Sequence, residues 1–312
     1  MEKTSEYKIK VFDEFNNNYI ITAALLYKDR YIVLSSEKID LKVISIEKFK
    51  EINSIQGVDT NIIHSIASIN NNEVITSSEY VVKIWYGMLS NIICLKAIRV
   101  SIEIRDMISI SIDKFALTQE NGLISIYTSQ DDFEKKFILN PSSDDVDMFS
   151  LYKMKNQNIL LASSKYNEVT VYDLSKKNVI KVIDGPGVRK NCWCETDKLI
   201  IALVFEQEQI FIIDKNTFQV VTAITEILLS YNKYVYPYYD TYHTTVIHFN
   251  DDIYVMPFRN GKIDFIQLRD FRRVYYYEDM HKSAIKAIIE LNDHVCISYS
   301  ENDTIIKKWQ II

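Results

Sequence analysis

Short apolar runs separated by polar turns make up most of this chain. ITAALLY at 21–27, YIVLSS at 31–36, EVITSS at 73–78, LISIYT at 123–128, NILLASS at 158–164 and EVTVYD at 168–173 set the pattern. LIIALVF at 199–205, QIFIID at 209–214, IYVMPF at 253–258 and KIDFIQ at 262–267 continue it. Runs this short, rich in Ile, Val, Tyr and Thr, predict strands. Polar clusters punctuate them at 16–18, 70–72, 121–122, 214–217 and 260–261. No stretch of a dozen residues shows a helical period. Only 6 Gly and 4 Pro are present for so many turns, but 22 Asn are. Asn tolerates the left-handed conformation, so it is expected to supply the tight turns.

The strands repeat. One equivalent position, near the end of the third strand of each unit, falls at Ile44, Trp85, Tyr127, Tyr172, Ile213, Ile266 and Trp309. The intervals are 41, 42, 45, 41, 53 and 43 residues. Four strands per unit at a period of about 40–45 residues is the signature of propeller blades. The expected fold is all-β: one seven-bladed β-propeller over residues 1–312. Its blades are expected at 20–57, 62–98, 104–139, 147–183, 188–224, 241–277 and 282–312.

The last unit, AIKAIIEL, HVCISYS and TIIKKWQI, has three strands. YKIKVFDEF, residues 7–15, precedes blade one without a partner of its own. It is expected to add as the outer strand of blade seven, which closes the ring and covers an open edge.

These features resemble the WD-repeat β-propeller family over nearly the whole chain, most fully in the last blade. In that family a His before the first strand, a Ser or Thr on the second, an Asp in the next turn and a Trp on the third form a hydrogen-bonded tetrad. The resemblance implies this role for His281, Ser298, Asp303 and Trp309, with Ser300 as an alternative to Ser298. Blade two keeps Trp85, with Glu79 at the Asp position and Ser77 nearby, but lacks the leading Gly-His. Lys308 stands where the family has an apolar residue.

Composition narrows the function classes. The apolar fraction of 47% and charged fraction of 25% suit a folded globular chain. A net charge of −6 offers no global attraction for nucleic acid or anionic membrane. No apolar run approaches the ~18 residues of a membrane span, and MEKTSEYKIK lacks the apolar core of a secretory signal. Four cysteines do not make a disulfide framework, which points to a reducing, cytoplasmic setting.

Catalytic patterns are poor. GxSxG, a Gly-rich phosphate loop and HExxH are all missing. Cys192 and Cys194 form CxC without the second ligand pair of a zinc site, and read as structural. His243 and His248, five apart, face opposite sides of a strand. Asp144-Asp145 and Asp251-Asp252 read as solvated turn carboxylates. No cofactor, metal, catalytic residue or small-molecule substrate is therefore expected. An enzyme is the remote alternative.

The most distinctive segment, SYNKYVYPYYDTYHTT, carries Tyr231, Tyr234, Tyr236, Tyr238, Tyr239 and Tyr242 within the long 53-residue interval. Tyrosine combines contact area with a polar tip, which suits an interface. The segment reads equally as a protein interface or as an intramolecular cover of the barrel end. Tyr275-Tyr276-Tyr277, after Arg272-Arg273, is a second aromatic cluster.

Within the WD-repeat family, the ending DTIIKKWQI is similar to the receptor for activated C kinase family, scaffolds of the small ribosomal subunit. Gln310 matches their Trp-Gln ending. That resemblance implies ribosomal RNA and small-subunit proteins as partners, with basic residues of blade one as the contact. Lys38, Lys42, Lys48 and Lys50 are the candidates, although the family's Arg-Asp-Lys pattern is absent from SSEKIDLK. The expected function is a non-catalytic protein-interaction scaffold, either ribosome-associated or an adaptor in a coat, ubiquitin-ligase or nuclear assembly.

Overall fold

The computed structural model describes residues 8–70, 72–140, 148–164, 168–184, 188, 192–204, 209–224, 247–250, 253–257, 261–267, 272–292, 294–300 and 302–312. Among them the strands form seven four-stranded antiparallel sheets. The chain divides into two compact units, Tyr19–Gly187 and Met1–Asn18 with Val188–Ile312.

The first unit holds four blades. Blade one is β2 (Ile21–Tyr27), β3 (Tyr31–Ser36), β4 (Leu41–Ser45) and β5 (Lys50–Ile55). Blade two is β6 (Ser65–Ile69), β7 (Glu73–Ser77), β8 (Val81–Tyr86) and β9 (Ile93–Arg99). Blade three is β10 (Ile104–Ser111), β11 (Lys114–Gln119), β12 (Ile124–Thr128) and β13 (Glu134–Leu139). Blade four is β14 (Met148–Lys153), β15 (Ile159–Ser164), β16 (Glu168–Asp173) and β17 (Asn178–Asp184).

The second unit holds three. Blade five is β18 (Trp193–Glu195), β19 (Leu199–Val204), β20 (Gln209–Asp214) and β21 (Val220–Ile224). Blade six is β22 (Ile247–Asn250), β23 (Ile253–Pro257), β24 (Ile263–Gln267) and β25 (Arg272–Tyr277). Blade seven is β26 (Ile285–Asn292), β27 (Val295–Ser300) and β28 (Ile305–Ile311), completed by β1 (Ile9–Asn16).

Burial explains why the strands read as continuous apolar runs rather than alternating ones. In β3, β11 and β15 the five residues after the first are all buried. Within each unit, middle strands pack against neighbouring blades, so their apolar runs are not broken by a polar face. Leu41, Val43, Val74 and Trp85 meet between blades one and two. Ile75, Ile84, Phe115 and Leu117 meet between blades two and three. Val255, Phe265, Ile288 and Trp309 meet between blades six and seven. A buried carboxylate adds to the apolar contact, because Asp106 Oδ2 accepts from Leu151 N of blade four at 2.9 Å.

The outer strands differ. In each of the seven sheets the pairing of outer to third strand shifts register beside the repeat position. An extra residue there twists and interrupts the edge, which discourages pairing with another chain.

The turns depart from the expectation that Asn supplies the left-handed positions. Asn18, Asn70 and Asn156 do adopt positive φ. So do Phe49, Lys177, Phe133 and Phe218 in the turns between third and fourth strands. The three phenylalanine rings are buried, and that packing offsets the backbone strain.

β1 pairs with β28 from Ile9 opposite Ile311 to Asn16 opposite Ile305. Lys8 and Ile312 exchange both backbone hydrogen bonds at 2.9 Å, and Asn17 N donates to Thr304 O at 2.8 Å. Asp13 and Glu14 lie opposite Lys308 and Lys307, with ion pairs of 4.0 and 3.1 Å. Lys308 therefore occupies its unusual position by facing a carboxylate on the closing strand. Deleting residues 1–15 removes this strand and exposes the β28 edge. The truncated chain should melt earlier and aggregate in size-exclusion chromatography; an unchanged melting temperature would show the strand to be dispensable.

Candidate functional site

The structure brings His281, Ser298, Asp303 and Trp309 into one hydrogen-bonded chain. His281 precedes β26, Ser298 lies on β27, Asp303 in the following turn and Trp309 on β28. Trp309 Nε1 donates to Ser298 Oγ at 3.1 Å. His281 Nε2 lies 2.8 Å from the same Oγ and Nδ1 lies 3.2 Å from Asp303 Oδ2. An indole can only donate and a carboxylate only accept, which sets the direction. The serine hydroxyl donates to Nε2, and Nδ1–H donates to Asp303. The imidazole is thus neutral, with its proton on Nδ1. Burial, opposed by Asp303, holds the His281 pKa below its ordinary value. A proton added at Nε2 would face a serine oxygen already accepting from the indole.

Ser300 takes another role: its Oγ accepts from Ser283 Oγ at 3.0 Å. Gly261, in the blade-six turn before β24, supports the site from behind. His281 N donates to Gly261 O at 3.1 Å, and a Cβ at Gly261 would stand 1.9 Å from the His281 carbonyl oxygen. Its φ of +80° also suits glycine alone. The Asn260-Gly261 pair is legible as a turn, but this contact crosses between blades and leaves no local signal.

Blade two builds a reduced version. Trp85 Nε1 donates to Thr76 Oγ1 at 2.9 Å, so the hydroxyl belongs to Thr76 and not Ser77. Strand parity is the signal that finds it. Trp85 pairs with Val74 and Trp309 with Cys296, and the hydroxyl in each case lies two residues on, on the same face. Glu79 accepts from Asn61 Nδ2 at 2.9 Å and does not join the indole. Buried Asp59 pairs instead with Lys83 at 3.5 Å.

Two further carboxylates follow the repeat position. Asp173 accepts from the backbone N–H groups of Ser175 and Lys176, and Asp214 from those of Asn216 and Thr217. Both pKa values are held below the ordinary carboxylate range, chiefly by the Lys176 and Thr217 N–H groups respectively. These caps make the turn into the outer strand without glycine.

The four blade-one lysines do not form one surface. Lys38 lies in the β3–β4 turn, whereas Lys48 lies in the β4–β5 turn and Lys50 begins β5, at the opposite end of the blade. Lys38 Nζ sits 5.0 Å from the Tyr19 ring centre. Lys42 is largely buried and faces Asp40 at 3.6 Å and Glu51 at 3.9 Å. Strand reversal explains the separation: residues ten apart in a hairpin fall at opposite ends.

Tyr231, Tyr234, Tyr236, Tyr238, Tyr239 and Tyr242 lie outside the described residues, as do His243, Asp144, Asp145, Asp251 and Asp252. Of the second cluster, Tyr275 packs edge-on against Phe265 at 5.3 Å, and Tyr276 is exposed. Cys192, Cys194 and Cys296 are buried, and Cys94 is exposed. Among the described residues no group of three His, Cys, Asp or Glu is placed to hold a metal ion. None of their helices is long and apolar enough to cross a membrane.

Comparison with solved structures shows the fold to be an all-β, seven-bladed β-propeller. The chain is similar to the β-propeller domain of Cps50 (Swd1) from Myceliophteria thermophila, with a TM-score of 0.76 at 9% identity. The match covers 98% of this chain and 100% of that one. No protein-family model and no curated protein sequence matches.

His281→Gln and Ser298→Ala should each lower stability by about 1–3 kcal/mol, the cost of a buried group left unpaired. The His281 contribution should also depend on pH. The folded pKa lies below the unfolded value of 6.5, so the contribution is full above 6.5 and declines as pH falls through the folded pKa. The stability gap between wild type and His281→Gln should narrow from pH 7.5 to 5.5 in denaturant titrations. A constant gap would contradict a neutral buried imidazole. Gly261→Ala should lower stability and shift the His281 ring resonances, because its Cβ displaces the His281 backbone.

Proposed function

We propose that this chain is a non-catalytic, WD-repeat-type platform for protein–protein interaction, working in the cytoplasm as an adaptor subunit of a larger assembly. One observation carries the reading: several chemically capable side chains among the described residues are committed to contacts within and between blades. His281 and Asp303 are bonded within the quartet, Asp106 ties two blades, and Glu195 is buried against Lys215. A general acid or base needs access to a substrate proton, and these groups face other protein groups. Rigid blades leave their connecting turns to specify partners, as scaffolds commonly do. The indole–hydroxyl pairs in blades two and seven and the Asp173 and Asp214 caps support the WD-repeat assignment.

A ribosome-associated scaffold is the finer alternative, suggested by the Trp309-Gln310 ending. It draws on Lys38, Lys42, Lys48 and Lys50 as a common RNA contact. Their division between two ends of blade one, and the pairing of Lys42 with Asp40 and Glu51, favour the general adaptor. The tyrosines at 231–242 are proposed as a protein interface of that adaptor.

Affinity purification of the native chain should retain a fixed set of proteins at near-physiological salt. Combined charge reversal at Lys38 and Lys48 should leave that set unchanged. Retention of small-ribosomal-subunit proteins, lost on charge reversal, would replace the adaptor by the ribosomal reading. Turnover of a small molecule by the purified chain would overturn both.

A further inference from the structure

The turn from third to fourth strand is built alike in several blades, and blade four departs from the pattern in one side chain. In blade four, Ser175 N and Lys176 N donate to Asp173 Oδ1, and Lys177 N donates to Asp173 O. In blade five, Asn216 N and Thr217 N donate to Asp214 Oδ1, and Phe218 N donates to Asp214 O. Lys177 and Phe218 therefore hold the same position, both left-handed, at φ of 58° and 53°. Phe49 in blade one and Phe133 in blade three end the corresponding turns in the same conformation. All three phenylalanine rings are buried, whereas Lys177 is exposed.

The exchange leaves its mark at the junction of blades three and four. Phe133 belongs to the apolar cluster between blades two and three. The matching cluster between blades three and four contains Ile126 and Tyr172, with Phe137 and Leu174 only partly buried against it. A lysine and not a ring covers Phe137, since Lys177 Nζ lies 4.7 Å from the Phe137 ring centre. Register puts the rim on one surface. Phe137 pairs with Ile126 and Val179 with Tyr172, and cross-strand partners share a face. Val182 pairs with Thr170, which alternates onto the face of Tyr172. Val179 and Val182 are 36% and 37% exposed.

The sister turns show which chemistry fits this rim: an aromatic ring. A lysine stem is flexible, and an incoming ring could stack on Phe137 and offer its face to the ammonium. The exposed apolar rim is a few side chains, well short of the about 800 Å² per partner that a stable dimer buries. It suits one anchor of a short segment and not a second globular copy. Charge does not favour a polyanion. Lys96, Lys136 and Lys176 are each paired with an aspartate. Lys155 and Lys177 stand against Glu134, Glu168 and Asp184 around the junction.

We infer that the junction rimmed by Phe137, Leu174, Lys177, Val179 and Val182 takes an aromatic side chain from a short partner segment. This deepens the platform reading and rests on it.

Lys177→Phe supplies the ring from within the chain. It should raise the melting temperature of the full chain, because the ring gains a buried place, and it should block the junction. Random dodecamers displayed on phage, selected on wild type and depleted on Lys177→Phe, should share a Phe, Tyr or Trp. A fluorescein-labelled selected peptide should bind Lys177→Phe at least about tenfold more weakly than wild type. Replacing its aromatic residue by Ala should weaken it as much. Lys177→Ala, which removes the charge without adding a ring, should keep binding. A lower melting temperature in Lys177→Phe, no peptide depleted by it, or a shared sequence without an aromatic residue would overturn the inference. So would equal loss of binding in Lys177→Ala, which would make the lysine charge the contact. Light scattering that shows self-association of wild type, lost in Lys177→Phe, would make a second copy the occupant and overturn it too. Affinity purification separates the two claims. If no peptide is selected and Lys177→Phe keeps every partner of wild type, the docking site is wrong and the platform reading stands.

Discussion

Everything in blade seven depends on one long-range pairing, that of β1 with β28. The three strands β26 to β28 leave one edge of backbone donors and acceptors open, and β1 fills it along seven register pairs. The pairing also places Asp13 and Glu14 against Lys308 and Lys307, and Ile9 and Val11 against the cluster around Trp309. The indole itself is fully buried. Its N–H must therefore find a partner within the protein, and the chain through Ser298 and His281 to Asp303 provides it. Closing strand, apolar cluster and polar quartet are successive requirements of a single blade.

The same logic, with less polar chemistry, holds the other blades. A blade alone would expose large apolar surfaces, and within each unit neighbouring blades supply cover. Trp85 donates to Thr76, and Asp59 pairs with Lys83 in the same blade. Tyr172 reaches Asn140 O with its hydroxyl at 2.9 Å, and Tyr127 stacks on Phe115 at 5.0 Å. Different side chains at the repeat position satisfy the same demand. A sequence comparison tuned to one residue type therefore finds little, which accords with 9% identity beside a TM-score of 0.76.

Much of the architecture was legible because the strand pattern is period-bound. The spacing from Ile44 to Trp309 counts blades whatever residue fills the position, and the unpartnered YKIKVFDEF segment pointed to the closing strand. The quartet was legible up to one ambiguity: Ser298 and Ser300 share a face of β27, and alternation alone does not separate them. In blade two the same alternation puts Thr76, and not Ser77, on the face of Trp85. Less was legible where chemistry depends on which end of a hairpin a residue occupies. Lys38 and Lys48 are near in sequence yet separated by the length of β4.

The account of a rigid platform stands on the closing strand being part of the folded core. Amide hydrogen exchange resolved to individual peptides measures this directly. The account predicts that the alternate amides of residues 9–16 that face β28 exchange as slowly as those of 305–311 that face β1, and in the same cooperative step. Fast exchange of those inward-facing amides of residues 9–16 while 295–300 and 305–311 stay protected would contradict it.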